Sequence, residues 1–527
     1  RQRQMCIRDS IYENTDSETT FNWTIDGKSI CTTSTLTFSA DEAGRYFILI
    51  SATNAGGTTE KEIRIDVFQL DVPTISIADA DKGFKVLQGS ELTITPIVDS
   101  FLETSYSWQI NGEDISNELT CTLPTIELGE YQVRFATHNE DGDDEVTFKV
   151  EVCSPDQVDF NWTFLQTEYN MSAGRTIRIK PVDVNNALDA VYTWTVDNEQ
   201  VQSGENDTYL FTSEQQGEHT VKVEMKNSYI LATQTLKVNV CPPAGTYQRK
   251  ISATSSASMN KVYEYLPAPG QFINENHNTT TMAEACTYAE ERINQTAYVS
   301  LGGFGGYIIV GFDHSIVNDG DYNIAITGNA FDGSSEPGIV WVMQDENGDG
   351  LPNDTWYELR GSEYGKAETW QDYAVTYHKP TGIQLPTPWT DNHGQSGSID
   401  YLGAFHRQDY YYPAWVKEKQ YTLRGTRLKE RNYDQSGNGT YWVNDSYEWG
   451  YADNFSAIDR LTDDDNYNAG PSDNHFKISH AVTFDGKDAN LKYVDFIKVQ
   501  VGVNSKSGWL GEISTEVFGI KDFNMLK

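Results

Sequence analysis

Gln344 to Leu359 reads QDENGDGLPNDTWYEL, a run in which oxygen-bearing side chains alternate with turn residues. Asp345, Asn347 and Asp349 occupy positions 1, 3 and 5 of a D-x-N-x-D-G pattern, Gly350 position 6, and the carbonyl of Leu351 position 7. Calcium takes six to eight oxygens at about 2.3–2.6 Å, and acidic or amide side chains at alternate positions can supply them where a glycine lets the chain bend. Position 12, where an EF-hand needs a bidentate Glu, is Trp356, and the flanks read as strands. These features exclude a calcium sensor. They lead us to expect a structural calcium staple, with Asn353, Asp354 or Glu358 completing the shell. A solvated Asn/Gly/Asp hairpin is the competing reading, because the same residues are turn formers.

Other chemistry is sparse. G-x-S-x-G, H-E-x-x-H, Walker and dinucleotide-binding patterns are absent, and the nine histidines never take metal-ligand spacing. Glu336, Glu358, Glu512 and Glu516 can pair as acid and base across a β-sandwich, but in a chain this acidic such pairing is expected by chance. We therefore expect no enzyme. Asp391 to Gly397, DNHGQSG, comes within one residue of D-x-H-x-x-G, a cobalt-ligating signature, with its Gly one place late, and is read as coincidence.

The richer signal lies between Pro386 and Asn468, in long irregular segments such as FHRQDYYYPAW. Long loops in a compact domain usually carry function. Trp389, Tyr410, Tyr411, Tyr412, Trp415, Tyr441, Trp442 and Trp449 offer flat faces, and Asn392 leads a set of amides beside them. That pairing suits a large, flat ligand decorated with amides or hydroxyls. Covering the core is the alternative use of the same rings.

The chain has 527 residues, enough for three or four domains at roughly 150 residues each. Its 77 acidic against 39 basic residues give a net charge of −38, which repels nucleic acid and anionic membrane surfaces. No apolar run approaches the roughly 20 residues of a transmembrane helix. RQRQMCIRDS at the start lacks an apolar core, so residues 1–10 are expected to be a non-native leader and the export signal to be missing. Six scattered cysteines form no C-x-x-C; Cys153 and Cys241 end successive repeats, as a disulfide or as buried thiols.

FNWTIDG, YSWQING and YTWTVDN place Trp23, Trp108 and Trp194 at intervals of 85 and 86 residues. Each is followed by a Gly-led strand (Gly44, Gly129, Gly217), then an Asn (Asn54, Asn139, Asn227) and a closing alternating strand. Several short strands per repeat describe a small antiparallel β-sandwich with the tryptophan in its core. After Cys241-Pro242-Pro243 the pattern changes: a helix is expected over Thr281 to Asn294, and strands beyond it.

The W-x-[IV]-[DN]-G…G-x-Y…N pattern resembles PKD and related immunoglobulin-like domains of bacterial surface proteins. Gly305 to Asp313, Gly328 to Phe331, Glu336 to Val342 and Gly511 to Ser514 resemble the motifs of a secreted jelly-roll domain. The fold expected is all-β: Ig/PKD-like repeats at 11–68 (truncated), 69–153 and 154–241, then a jelly roll at 242–527 with a short helix. This arrangement is similar to the cobalamin-capture lipoproteins of gut anaerobes. The resemblance implies a lipid-anchored protein on the outer face of the outer membrane, or a secreted one, that binds cobalamin or another corrinoid for an outer-membrane transporter. Glycan capture is the alternative, and an adhesin or structural role the third.

Overall fold

The computed structural model describes residues 5–6, 18–40, 44–67, 70–125, 127–154, 162–185, 187, 190–227, 230–275, 277–461 and 471–527. Of the expected leader, only the strand Met5–Cys6 falls within them. The chain is all-β apart from the helix Met282–Asn294 and short 3-10 turns. It divides into two compact units, one of Arg1–Phe84, Pro96–Cys121 and Glu130–Val150, the other of Lys85–Thr95, Thr122–Gly129 and Glu151–Lys527.

In the first unit the W-x-x-D/N-G signature makes a tight hairpin. Trp23 and Trp108 are 1% and 0% exposed, and each strand bulges directly after its tryptophan. The hairpins then turn through Asp26-Gly27 (φ 48°, 75°) and Asn111-Gly112 (φ 51°, 89°). Two successive left-handed residues match the twist of the flanking strands, so Asn, Asp and Gly are selected there. Each indole N–H donates to a carbonyl ten residues on, Thr33 or Glu118, at 2.9 Å. Thus the tryptophan fills the core and pins the next loop.

The repeated asparagine ends the following hairpin. Asn54 Oδ1 accepts from Gly56 N at 2.8 Å. Asn139, 2% exposed, accepts from Asp141 N and Gly142 N and donates to the Asp71 carbonyl and Ser100 Oγ.

The second unit holds the third repeat and the large domain. The repeat's five-stranded sheet runs Glu168–Ser172, Leu231–Cys241, Gly217–Lys226, Val191–Val196, Glu199–Gly204, with the first pair parallel. Asp197-Asn198 (φ 49°, 73°) makes the same hairpin with Asn in place of Gly, and Trp194 is 0% exposed, but its indole N–H has no partner. Cys153 and Cys241 are buried free thiols, so no disulfide closes the repeats.

The large domain is a jelly-roll sandwich. One antiparallel sheet runs Lys261–Leu266, Tyr307–Val317, Tyr493–Val501, Gly338–Met343, Trp356–Leu359, Ala481–Val482. Smaller sheets built on Ile324–Gly328 and on Trp370–His378 share one core with it, where Val310, Ile326, Val340, Val375 and Ile497 are fully buried. The helix begins at a Thr281/Glu284 capping box and buries Ala285, Ala289 and Ile293 along one face.

Asn139→Ala removes two donated bonds and strips two backbone amides of their acceptor in a buried turn. It should cost about 2 kcal/mol or more, against under about 1 kcal/mol for Asn54→Ala, whose bond from Gly56 N is exposed. Denaturant unfolding checks the order; equal costs would contradict this role for the buried turn.

Candidate ligand-binding site

The D-x-N-x-D-G loop closes on itself and docks on the third repeat. Asp345, 3% exposed, accepts from Gly348 N at 2.7 Å and Gly350 N at 3.0 Å. Asp349 accepts from Leu351 N, and its other oxygen takes the amides of Asn347 and Asn353 at 2.8 Å each. The docking residue is Glu346, whose side chain is 2% exposed: it accepts from Ser172 N at 3.0 Å and pairs with Arg175 at 3.3 Å. Arg175 also donates to Gln344 and to the Ala489 carbonyl. Burial pushes Glu346 up to about 7 against the pull of Arg175. Asp354, accepting from Glu346 N, is raised by burial to about 8.

A second contact completes the seat. Trp370–His378 bulges at Asp372 (φ 56°), which receives Arg178 at 2.9 and 3.1 Å and Lys180 at 2.7 Å. Burial works against the Asp372 charge, but the two cations hold its carboxyl below the usual range.

Between these contacts lies a cleft of about 480 Å³. Its wall on the large domain is a cross-strand row in which Trp341 pairs with Glu358 on one side and Lys498 on the other. Trp356, Tyr357 and Arg424 extend that wall, and Tyr169, Ile177 and Arg178 face it from the third repeat. The Trp341 indole N–H is buried without a partner. Glu358, 5% exposed, is raised by burial to about 7, and Lys498 is lowered by burial to about 8. An aromatic platform between a carboxyl and an amine can stack a ring and exchange hydrogen bonds with hydroxyls or amides.

The aromatics singled out by sequence do not assemble into one surface. Tyr411, Tyr412 and Trp415 are 0%, 1% and 6% exposed and belong to the core, which corrects their assignment as ligand contacts. Their polar ends reach backbone carbonyls at His406, Glu418 and Tyr265, so the irregular segment packs inward. Trp389 and Tyr410 pack partly against the same core. Tyr441 is exposed, and Trp442 is half-buried against Gly508, where an added Cβ would meet the indole at 2.2 Å. Trp449 lines a separate cavity of about 260 Å³ beside His480. Of the ligand contacts expected from sequence Asn392 lines the cleft, as do Asp354 and Glu358. His393 stacks on Trp370 at 4.3 Å, and Asp391 caps the His393 and Gln395 amides, so DNHGQSG is a turn.

Trp341, Trp356, Arg178 and Lys498 were missed. The available signal was the paired tryptophans in VWVMQD and DTWYEL, on either side of a loop that had to be a hairpin.

A PKD-like domain model matches residues 72–139 and 144–227. Among solved structures, the fibronectin(III)-like modules of Clostridium thermocellum CbhA are 15% identical, covering 34% of this chain and 100% of that one at a TM-score of 0.17. A chimeric titin Z1Z2 is 20% identical, with coverage of 33% and 98% and a TM-score of 0.19. Three N-terminal domains of the bacteriophage RB49 Hoc protein are 15% identical, covering 44% and 90% at 0.20. No curated protein matches the chain. Among the described residues no helix is long and apolar enough to cross a membrane. A PKD-like match over part of the chain thus accompanies its all-β architecture.

Because Glu358 titrates near 7 in the fold rather than at its usual 4.5, the native state binds its proton more tightly than the unfolded chain does. Its contribution to stability is full below pH 4.5 and is lost as pH rises through 7. Glu358→Gln removes that loss, and should gain on the order of 3 kcal/mol on wild type between acidic and alkaline pH. Unfolding both proteins at pH values of about 5 and 8 checks this. A pH-independent difference would contradict it.

Proposed function

We propose that this is a non-catalytic, extracellular ligand-capture protein built from Ig/PKD-like repeats and a jelly-roll domain, and that ligand enters the cleft at Trp341. The observation that carries this reading is the cross-strand row of Trp341 with Glu358 and Lys498 on either side, along the wall of a cavity of about 480 Å³. Both faces bring charge: Arg178 and Lys180 from the repeat, Arg424 and Lys498 from the jelly roll.

The ligand proposed first is cobalamin or a related corrinoid, passed intact to an outer-membrane transporter. Its support is the similarity of the GGFGGYIIVGFD and GWLGEISTEV segments to corrinoid-capture lipoproteins, together with the fit of peripheral amides to this polar cleft. The cleft is open, so it would grip one edge of the macrocycle. A glycan is the second reading, favoured by the geometry itself: Trp341 and Trp356 offer ring faces, with carboxyl and amine groups at hydroxyl-bonding positions.

Titration of the full chain with cyanocobalamin and with a panel of polysaccharides, followed by tryptophan fluorescence, tests both readings. Corrinoid capture predicts sub-micromolar binding that Trp341→Ala weakens by about 1.5–3 kcal/mol, roughly ten- to a hundredfold. Polysaccharide binding with the same sensitivity would replace the corrinoid by a glycan. Binding of either that ignores Trp341→Ala, or no binding, would end the assignment of this cleft.

A further inference from the structure

Three carboxylates from separate segments of the chain meet in the jelly roll, none of them a residue of the D-x-N-x-D-G loop. Glu336, Asp453 and Glu516 place one oxygen each within 4.8 Å of the others. Asp453 and Glu516 are 1% and 4% exposed, while Glu336 is half-buried. Among the described residues no Lys or Arg forms a salt bridge with any of them, and the Glu336 and Glu516 carboxyls lie within hydrogen-bonding distance of each other. Like charges this close, out of water and without a cation, require either protons or a metal ion.

The local backbone is built around this convergence. Asp453 takes a left-handed conformation (φ 52°), and its carboxylate accepts from Asn329 N at 2.8 Å, Ala330 N at 2.9 Å and Glu516 N at 2.9 Å. A Cβ on Gly328 would stand 2.5 Å from Asp453 Oδ1, which explains why glycine opens the G-N-A-F motif. Glu336 N donates to the Asp453 carbonyl, and Thr515 Oγ1 to the Glu336 carbonyl. The jelly-roll motifs at 328–331 and 336–342 converge on this point, and the third, at 511–514, runs directly into Thr515 and Glu516.

A second observation points to a missing ligand. Glu516 Oε1 is buried with no hydrogen-bond partner, on a residue that is 4% exposed. Glu512, also 4% exposed, has one oxygen on Gln271 N at 2.7 Å and the other unpartnered. The Asn329 side-chain nitrogen donates to the two Asp453 oxygens at 3.1 and 3.3 Å.

We propose that Glu336, Asp453 and Glu516 bind a calcium ion that ties together the chain segments around residues 329, 336, 453 and 516. All three side-chain donors are oxygen, which selects a hard cation over zinc or copper. Calcium–oxygen distances of about 2.4 Å put two ligands on opposite sides of the ion about 4.8 Å apart, so the cluster fits around one calcium. The half-buried Glu336 gives the ion its way in. Calcium tolerates irregular shells, whereas magnesium demands a near-ideal octahedron.

The test uses the full chain stripped with a chelator, titrated with CaCl2 and MgCl2 by calorimetry and melted with and without each ion. Wild type should bind calcium in preference to magnesium and melt higher with it. Glu516→Gln and Asp453→Asn should each weaken calcium binding about tenfold or more and lose the calcium-dependent rise, with Glu516→Gln melting without metal no lower than metal-free wild type. That last readout separates a lost ligand from a misfolded variant. Asp349→Asn should bind as wild type does. The proposal is overturned by absence of calcium binding in wild type, by preference for magnesium, by binding that survives Glu516→Gln and Asp453→Asn, or by loss of binding in Asp349→Asn instead.

Discussion

The second unit depends on one buried charge. Glu346 sits at the tip of a hairpin of the jelly roll with its side chain 2% exposed, and both of its oxygens face the third repeat, one toward Ser172 N and one toward Arg175. Burial pushes that carboxyl up to about 7, and Arg175 and the Ser172 amide are what favour its charged form. The dependence runs both ways. Arg175, held by Glu346, Gln344 and the Ala489 carbonyl, fixes the start of the strand Thr176–Ile179, and that strand carries Arg178 to Asp372 and lines the cleft. The walls of the cleft belong to two domains, so it exists only because they are seated together.

The two sets of carboxylates illustrate a choice that buried acids face. Near Glu346 the charges are answered by Arg175, by backbone amides and by the turn itself, and the D-x-N-x-D-G residues spend most of their hydrogen-bonding capacity on one another. Around Asp453 the backbone answers Asp453 and Glu336, and Glu516 keeps an oxygen without a hydrogen bond, as Glu346 and Asp354 each do near the loop. Hydrogen bonds to backbone amides close a turn at short range in sequence; a cation is needed where acids come from distant segments and no basic side chain follows them.

Much of the fold was legible because it is written in local rules. The W-x-x-D/N-G hairpins, the Asn turns and the Thr281/Glu284 capping box each depend on residues a few places apart, so period and turn chemistry locate them. The site was not legible in the same way. Tyr411, Tyr412 and Trp415 read as surface because they lie in a segment without periodicity, yet the segment folds inward and uses their hydroxyls and indole N–H to satisfy backbone carbonyls. Trp341 and Trp356 read as ordinary strand residues, and only the pairing of their strands opposite the third repeat turns them into a wall. Glu336 and Glu516 stood among four acids that could pair, a pairing expected by chance, and Asp453, 117 residues beyond Glu336, had no local signal to join them.

The central claim, that the third repeat and the jelly roll form one structure through Glu346 and thereby create the cleft, is tested most directly by a double-mutant cycle on Arg175 and Glu346 in the full chain. Arg175→Met, Glu346→Gln and the double variant would be compared with wild type by denaturant unfolding of the second unit. The account predicts a coupling energy of about 1–3 kcal/mol, with the double variant more stable than the sum of the single changes implies. Additive effects would mean that the two side chains do not answer each other, and the shared structure that builds the cleft would lose its foundation.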